Sequence, residues 1–171
     1  MTRARILIAL VALVVILGLT NWNIASKRAV IADGALLLLE LRPADPRSLL
    51  QGDYMALALV DAAMPDQATI RQLPYRGTLI LSLDEHRVGH YARLDDGSLL
   101  RPDELRVQYR RHEEWSQARV DYGAQSFFFQ EGDAELYQNA RYGVLRVTAD
   151  GGTVLTDLAD ENHETIRPAT K

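Results

Sequence analysis

The densest group of side chains able to do chemistry is Asp45-Pro46-Arg47-Ser48-Leu49-Leu50-Gln51-Gly52-Asp53-Tyr54-Met55-Ala56-Leu57. Ser48 can act as a nucleophile if a neutral base takes its proton. Arg47 and Asp53 can pair with each other or with a charged partner. The same residue types also build a rigid corner. Asp45 can accept hydrogen bonds from backbone N–H groups beyond Pro46, as in an Asx turn. Pro46 restricts its own φ and the residue before it. Gly52 permits a positive φ or a close backbone approach. Asp53 opens a strand, an unfavourable place for aspartate, and Arg47 is its nearest ion partner in sequence. The corner is therefore the candidate binding site, with Asp45, Arg47, Gly52, Asp53 and Tyr54 as its residues.

Catalytic readings of the chain fail on residue supply. Ser48-Leu49-Leu50-Gln51-Gly52-Asp53 faintly resembles the Thr-Leu-x-x-Gly-Asp stretch of membrane-anchored signal peptidases, whose serine works with a lysine base. Of 19 basic residues only Lys27 and Lys171 are lysine, so none lies between Arg28 and Thr170. Arginine stays protonated and cannot substitute. No G-x-S-x-G elbow occurs, and Ser82, Ser98, Ser116 and Ser126 sit in ordinary contexts. The carboxylate pairs Asp95-Asp96 and Glu113-Glu114 are adjacent, so a strand would point their members to opposite faces. His86 and His90 on one strand would stand about 13 Å apart, too far for one zinc ion. His112 could join them only through the fold. No catalytic residue, metal or cofactor is assigned, and with no cysteine there is neither a disulfide nor a thiolate.

Gly52-Asp53-Tyr54-Met55-Ala56-Leu57 resembles the motif that names the GDYxxLxY family of bacterial membrane-anchored proteins. Asp45-Pro46-Arg47-Ser48-Leu49 resembles the lead-in common in that family, and a weaker similarity extends over most of the soluble part, including 127–135. Leu59 departs from the pattern, standing where the family usually has tyrosine. The resemblance implies a membrane-anchored protein without established activity, in the company of multi-spanning membrane proteins. It supplies no catalytic residue.

The elements that must position the corner begin with an anchor. Ile6 to Leu19 is 14 residues without a charge, and extension to Trp22 gives 17, near the lower limit for crossing a bilayer. Arg3 and Arg5 precede the run, and Trp22 sits where an interfacial aromatic belongs. A cleaved signal peptide is the rival, but Ile24-Ala25-Ser26 is a poor cleavage site. A signal anchor is expected, with residues 1–5 cytoplasmic, 6–22 in the lipid bilayer, 23–34 a stalk, 35–160 a periplasmic domain, and 161–171 a flexible tail. The balance of Arg3 and Arg5 against Lys27 and Arg28 makes the inner-membrane topology rest on the short basic N-terminus.

Beyond Gly34, Ala35 to Leu41 reads as a buried strand and Tyr54 to Val60 as a strand covered on both faces. Pro65 to Leu73 is a loop or short helix. Arg76 to Leu83 and Arg87 to Leu94 form a hairpin, and Asp95-Asp96-Gly97 a turn. Leu105 to Arg111 and Trp115 to Tyr122 alternate like half-buried strands. Phe127-Phe128-Phe129 is a core-filling run, and 131–140 forms one or two helical turns. Tyr142 to Thr148 and Val154 to Leu158 make a hairpin around Asp150-Gly151-Gly152. The chain from Ala159 is expected to fray. The fold class is mainly β, a small antiparallel barrel or sandwich with few short helical turns and one N-terminal transmembrane helix.

Net charge of −4 and interspersed charges exclude a nucleic-acid partner. The leading expectation is an accessory module that docks on an integral membrane protein through the corner, near the membrane. A small-molecule or envelope-polymer binding domain with an aromatic groove built from Tyr109, Trp115, Tyr122, Phe127, Phe128, Phe129 and Tyr137 is the alternative. A hydrolase without a recognisable motif is the third.

Overall fold

The computed structural model describes residues 3–42, 54–114, 117–130 and 132–168. The first element, α1, is a single helix from Arg3 to Asp33. Leu, Ile, Val and Ala supply good packing and, without proline, nothing breaks it. Its apolar side chains face outward all round, with Leu7 63% and Trp22 79% exposed. A helix that is apolar on every side suits a lipid environment. Its 19-residue stretch Leu7–Ala25 is long and apolar enough to cross a membrane, spanning about 28 Å.

Gly34 alone separates α1 from β1 (Ala35–Glu40). There follow β2 (Tyr54–Ala56), a single 3-10 turn (Asp61–Ala63), α2 (Gln67–Gln72), β3 (Arg76–Leu83), β4 (Gly89–Leu94) and β5 (Glu104–Glu114). The chain ends with β6 (Gln117–Asp121), β7 (Ser126–Phe128), α3 (Ala134–Tyr137), β8 (Tyr142–Val147) and β9 (Thr153–Ala159). The strands form sheets of order β4-β3-β5-β6 and β1-β8-β9 with a two-stranded β2-β7 ribbon. Every pairing within a sheet is antiparallel.

The larger sheets curl round one core as a half-barrel. Leu37, Leu39, Leu145 and Val147 from one meet Leu79, Leu81, Val107, Tyr109, Val120 and Tyr122 from the other. The sheets are joined at both ends. Leu38 N donates to Arg87 O at 2.9 Å, and Gln108 N donates to Gly151 O at 2.8 Å. β6 pairs β5 only as far as Arg110, so the β8–β9 turn completes the exposed edge of β5 below that point. Leu38, on the other face of β1, packs with Val88, Val144 and Ala159 in a second cluster. β1 is thus buried on both faces, which explains its unbroken leucine run. Gly89 is small because the Leu37 side chain fills its place; a Cβ there would lie 2.6 Å from Leu37 Cδ1.

Several expectations change in the fold. The strand expected over Tyr54 to Val60 is paired only from Tyr54 to Ala56, against β7. The chain then changes partner: Leu57 N donates to Gln125 O, whereas Arg42 N takes Ala58 O and Leu59 bridges Leu41. Coverage by two different neighbours, not one long strand, keeps residues 57–60 apolar. Phe127-Phe128-Phe129 is not uniformly core. Alternation along β7 turns Phe128 outward, 74% exposed, while Phe127 and Phe129 pack on Tyr137 with ring centroids 5.2 Å away in each case. β4 begins at Gly89, not Arg87, because Asp84 Oδ1 accepts from His86 N and Val88 N and holds them in the turn. The expected fraying from Ala159 does not hold up to Ile166. Ile166 N donates to Leu158 O at 2.8 Å, and His163 stacks on His86 with centroids 4.5 Å apart.

Candidate functional site

Asp45, Arg47, Gly52 and Asp53, with Ser48, lie outside the described residues, as does the Tyr54 side chain. The Tyr54 backbone opens β2 opposite Phe128. Trp115, of the expected aromatic set, is also outside them. The two flanks of the segment are described. The chain enters it at Arg42, at the end of β1 away from the anchor, and leaves it through β2. β1 carries the chain about 20 Å from the end of α1.

At the exit of the segment Leu57 to Leu59 line a cleft of about 210 Å³ with Arg42, Asp61 and His112. Arg42 Nη2 donates to Asp61 Oδ1 across the mouth. β6 adds Asp121, which caps the turn after its own strand: Oδ1 accepts from Gly123 N at 2.8 Å and Ala124 N at 3.2 Å. The Asp121 Oδ2 atom lies 3.8 Å from His112 Nε2, and Gln125 Nε2 lies 3.4 Å from the same nitrogen. This arrangement can hold a polar or charged group. Leu59, at the position where the tyrosine of the motif would stand, contributes an apolar side chain to the same wall.

The cleft is braced from behind. Tyr122, fully buried, donates its hydroxyl to Ala63 O at 2.6 Å. Burial pushes its phenol far above the ordinary tyrosine range. The bond ties the turn after residues 57–60 to the residue that follows β6, 59 positions along the chain. No sequence pattern marks it.

The outer face of the β4-β3-β5-β6 sheet carries paired charges that adjacency in sequence did not reveal. Glu104, its side chain 1% exposed, accepts from Arg93 Nη2 at 3.0 Å and from Arg101 N at 3.0 Å. The Arg93 hydrogen bond, joined by the Arg101 backbone, holds the Glu104 carboxyl below its usual range. Arg106 Nε donates to Asp95 Oδ2 at 2.8 Å, and that bond lowers the Asp95 carboxyl. Asp96, which pairs with Arg93, is lowered to about 2, chiefly by its hydrogen bonds to Ser98. Asp95 and Asp96 are not on a strand: they follow the end of β4 at Leu94 and pair with different arginines of this one face.

His86 and His90 are not on one strand: the first sits in the β3–β4 turn and the second in β4. Among the described residues no group of three or more His, Asp or Glu side chains converges on a metal position. Within the expected aromatic set Tyr109, Tyr122 and Tyr137 are buried in the core, and Phe127 and Phe129 pack against it.

No curated relative and no solved structure matches the chain. The family model of the GDYXXLXY protein matches residues 16–158, from within the apolar helix to the last strand, β9. That match covers most of the chain and includes both the segment and the sheets that flank it, so the chain belongs to the GDYXXLXY protein family.

Proposed function

We propose that this chain is an accessory module, held in the bacterial inner membrane by its N-terminal helix and docking on a multi-spanning membrane protein from the periplasmic side. The observation that carries the reading is the continuity of anchor and domain. α1 runs unbroken from Arg3 to Asp33, only Gly34 follows it before β1, and its end touches β8 and β9. The Arg146 guanidinium, on β8, donates to Gly34 O at 3.2 Å and adds a strut at the joint. A domain set on its span with so short a joint keeps one orientation to the bilayer, which favours contact with another membrane protein. A free-swinging binding domain would need a flexible linker. The fate of the aromatic residues adds weight, since most are consumed in packing and leave Phe128 as the exposed ring of the set among the described residues.

In this reading the corner, with Asp45, Arg47, Gly52, Asp53 and Tyr54, makes the contact. The test is crosslinking in membranes followed by mass spectrometry. A multi-spanning partner is captured by the natural chain and lost with Asp53→Ala, while circular dichroism shows the variant folded. Capture that survives Asp53→Ala unchanged removes the corner as the docking site. Alkaline phosphatase fused after Lys171 is expected to be active, and an inactive fusion reverses the topology.

A further inference from the structure

A second cleft, about 600 Å³, opens where β6 leaves the sheet and the β8–β9 turn takes its place beside β5. Its walls are Tyr122-Gly123 and Gly152-Thr153, joined by a hydrogen bond from Thr153 Oγ1 to Tyr122 O. Its rim holds Arg76 of β3 and Arg110 of β5. These two arginines are direct cross-strand partners in the ladder. Like charges directly opposite one another destabilise a sheet.

The rest of the same face shows how this sheet handles its arginines. Arg93 is neutralised by Glu104 and Asp96, and Arg106 by Asp95. Arg76 and Arg110 are exposed, and neither forms an ion pair with a carboxylate among the described residues. Asp121 is the cross-strand partner of Arg110 and lines the cleft. Its carboxylate is turned into its own turn, on Gly123 N and Ala124 N, and beyond them lies 3.8 Å from His112. Arg76 lies 5.6 Å from the Tyr75 ring centroid, a contact that leaves its N–H donors unspent.

We infer that this cleft binds a phosphate-class anion, clamped between the Arg76 and Arg110 guanidinium groups. Guanidinium forks match tetrahedral oxyanions in a bidentate way, and the glycines on the walls leave the approach open. The volume exceeds that of one phosphate and lies in the range of ordinary ligand pockets, so an organic group attached to the phosphate also has room. The cleft sits at the anchor end of the domain. Thr153 pairs with Val147, which pairs with Ala35, the second residue after α1. From Ser26 to Asp33 the helix rises about 12 Å beyond the apolar stretch, comparable with the headgroup layer and one Debye length together. A lipid headgroup and a free phosphate are both sources of this chemistry. The site is separate from the corner, so its failure and the failure of the docking reading are distinguishable.

The test is calorimetric titration of the full chain in uncharged detergent micelles at fixed ionic strength. One arm uses inorganic phosphate and the other short-chain phosphatidylglycerol. Saturable binding in at least one arm is expected, weakened about tenfold or more by Arg76→Gln or Arg110→Gln, since each removes charge-assisted hydrogen bonds. Arg141→Gln, an exposed arginine at the opposite end of β8, is expected to leave binding unchanged. Binding in the lipid arm alone assigns a headgroup, and binding of phosphate alone assigns a soluble anion. If Arg110→Gln loses its near-ultraviolet dichroism, Arg76→Gln and the charge-keeping Arg110→Lys carry the comparison. No saturable binding in either arm, or equal weakening by Arg141→Gln, overturns the inference.

Discussion

Replacing Tyr122 with phenylalanine removes one oxygen atom from the centre of the fold. The ring is fully buried and its hydroxyl donates to Ala63 O at 2.6 Å. Phenylalanine keeps the ring and its apolar burial, so the loss is confined to the hydrogen bond and to the carbonyl left behind. A net intramolecular hydrogen bond contributes about 1 kcal/mol, and an unsatisfied buried carbonyl costs about 1–3 kcal/mol. The expected destabilisation is about 2 kcal/mol. For a domain of this size that is a fall in Tm of roughly 6–8 °C, against a larger loss for Tyr122→Ala, about 3–5 kcal/mol, where the ring volume also goes. Thermal unfolding of the full chain in micelles, followed by near-ultraviolet circular dichroism, gives the first number. Hydrogen exchange at residues 57–64 gives the second readout, because the bond pins the turn that follows the motif strand. A Tm change below about 1 °C, with exchange unaltered there, would refute the claim that Tyr122 braces the cleft at the motif's exit.

Other outcomes follow from the same geometry. Gly151 has φ +87, and a Cβ there would stand 3.0 Å from Arg106 O and 3.3 Å from Gln108 N. Gly151→Ala should cost about 2–3 kcal/mol, because strain and a backbone clash both push the β8–β9 turn off β5; an unchanged urea midpoint would contradict this. Asp95, Asp96 and Glu104 all have carboxyls lowered in the folded chain from ordinary values of 3.8, 3.8 and 4.5. Their contribution is fully present above those values and is lost as pH falls through the lowered ones, about 2 for Asp96, so Tm should hold steady down to about pH 5 and then drop, with Asp96→Asn flattening the drop. Asp157 is the opposite case, since burial raises its carboxyl. Its contribution is lost as pH rises through the raised value, so Asp157→Asn should raise Tm at pH 7 and leave it unchanged near pH 3.

Particular residues show which parts of this molecule were legible in the sequence. The uncharged run Ile6 to Leu19 announced the apolar helix, because length and composition alone decide whether a helix can cross a bilayer. The leucine run of β1 announced a buried strand, and the alternation in β5 a half-buried one. Asp95-Asp96-Gly97 and Asp150-Gly151-Gly152 announced turns, because Gly97 and Gly151 take positive φ and neighbouring side chains close the loops. All of these are properties of a few adjacent residues.

The features that bear on the two sites are of another kind. Nothing local told that the motif strand would leave β7 after Ala56 and lean on Leu41, or that Ile166 would return to Leu158. The Tyr122 hydroxyl meets a carbonyl 59 positions away, and Arg76 meets Arg110 across a ladder. Such meetings depend on register, and register is set by the whole packed sheet, where a shift of one residue turns every side chain to the other face. The sequence by itself determined the apolar N-terminal helix, the β-rich class, the family motif and the turns, because composition, period and turn chemistry are local. Only the tertiary structure decided which charges are neutralised, which arginines stand together without a partner carboxylate among the described residues, and what supports the chain on leaving the motif, because each is a contact between segments that the sequence keeps far apart.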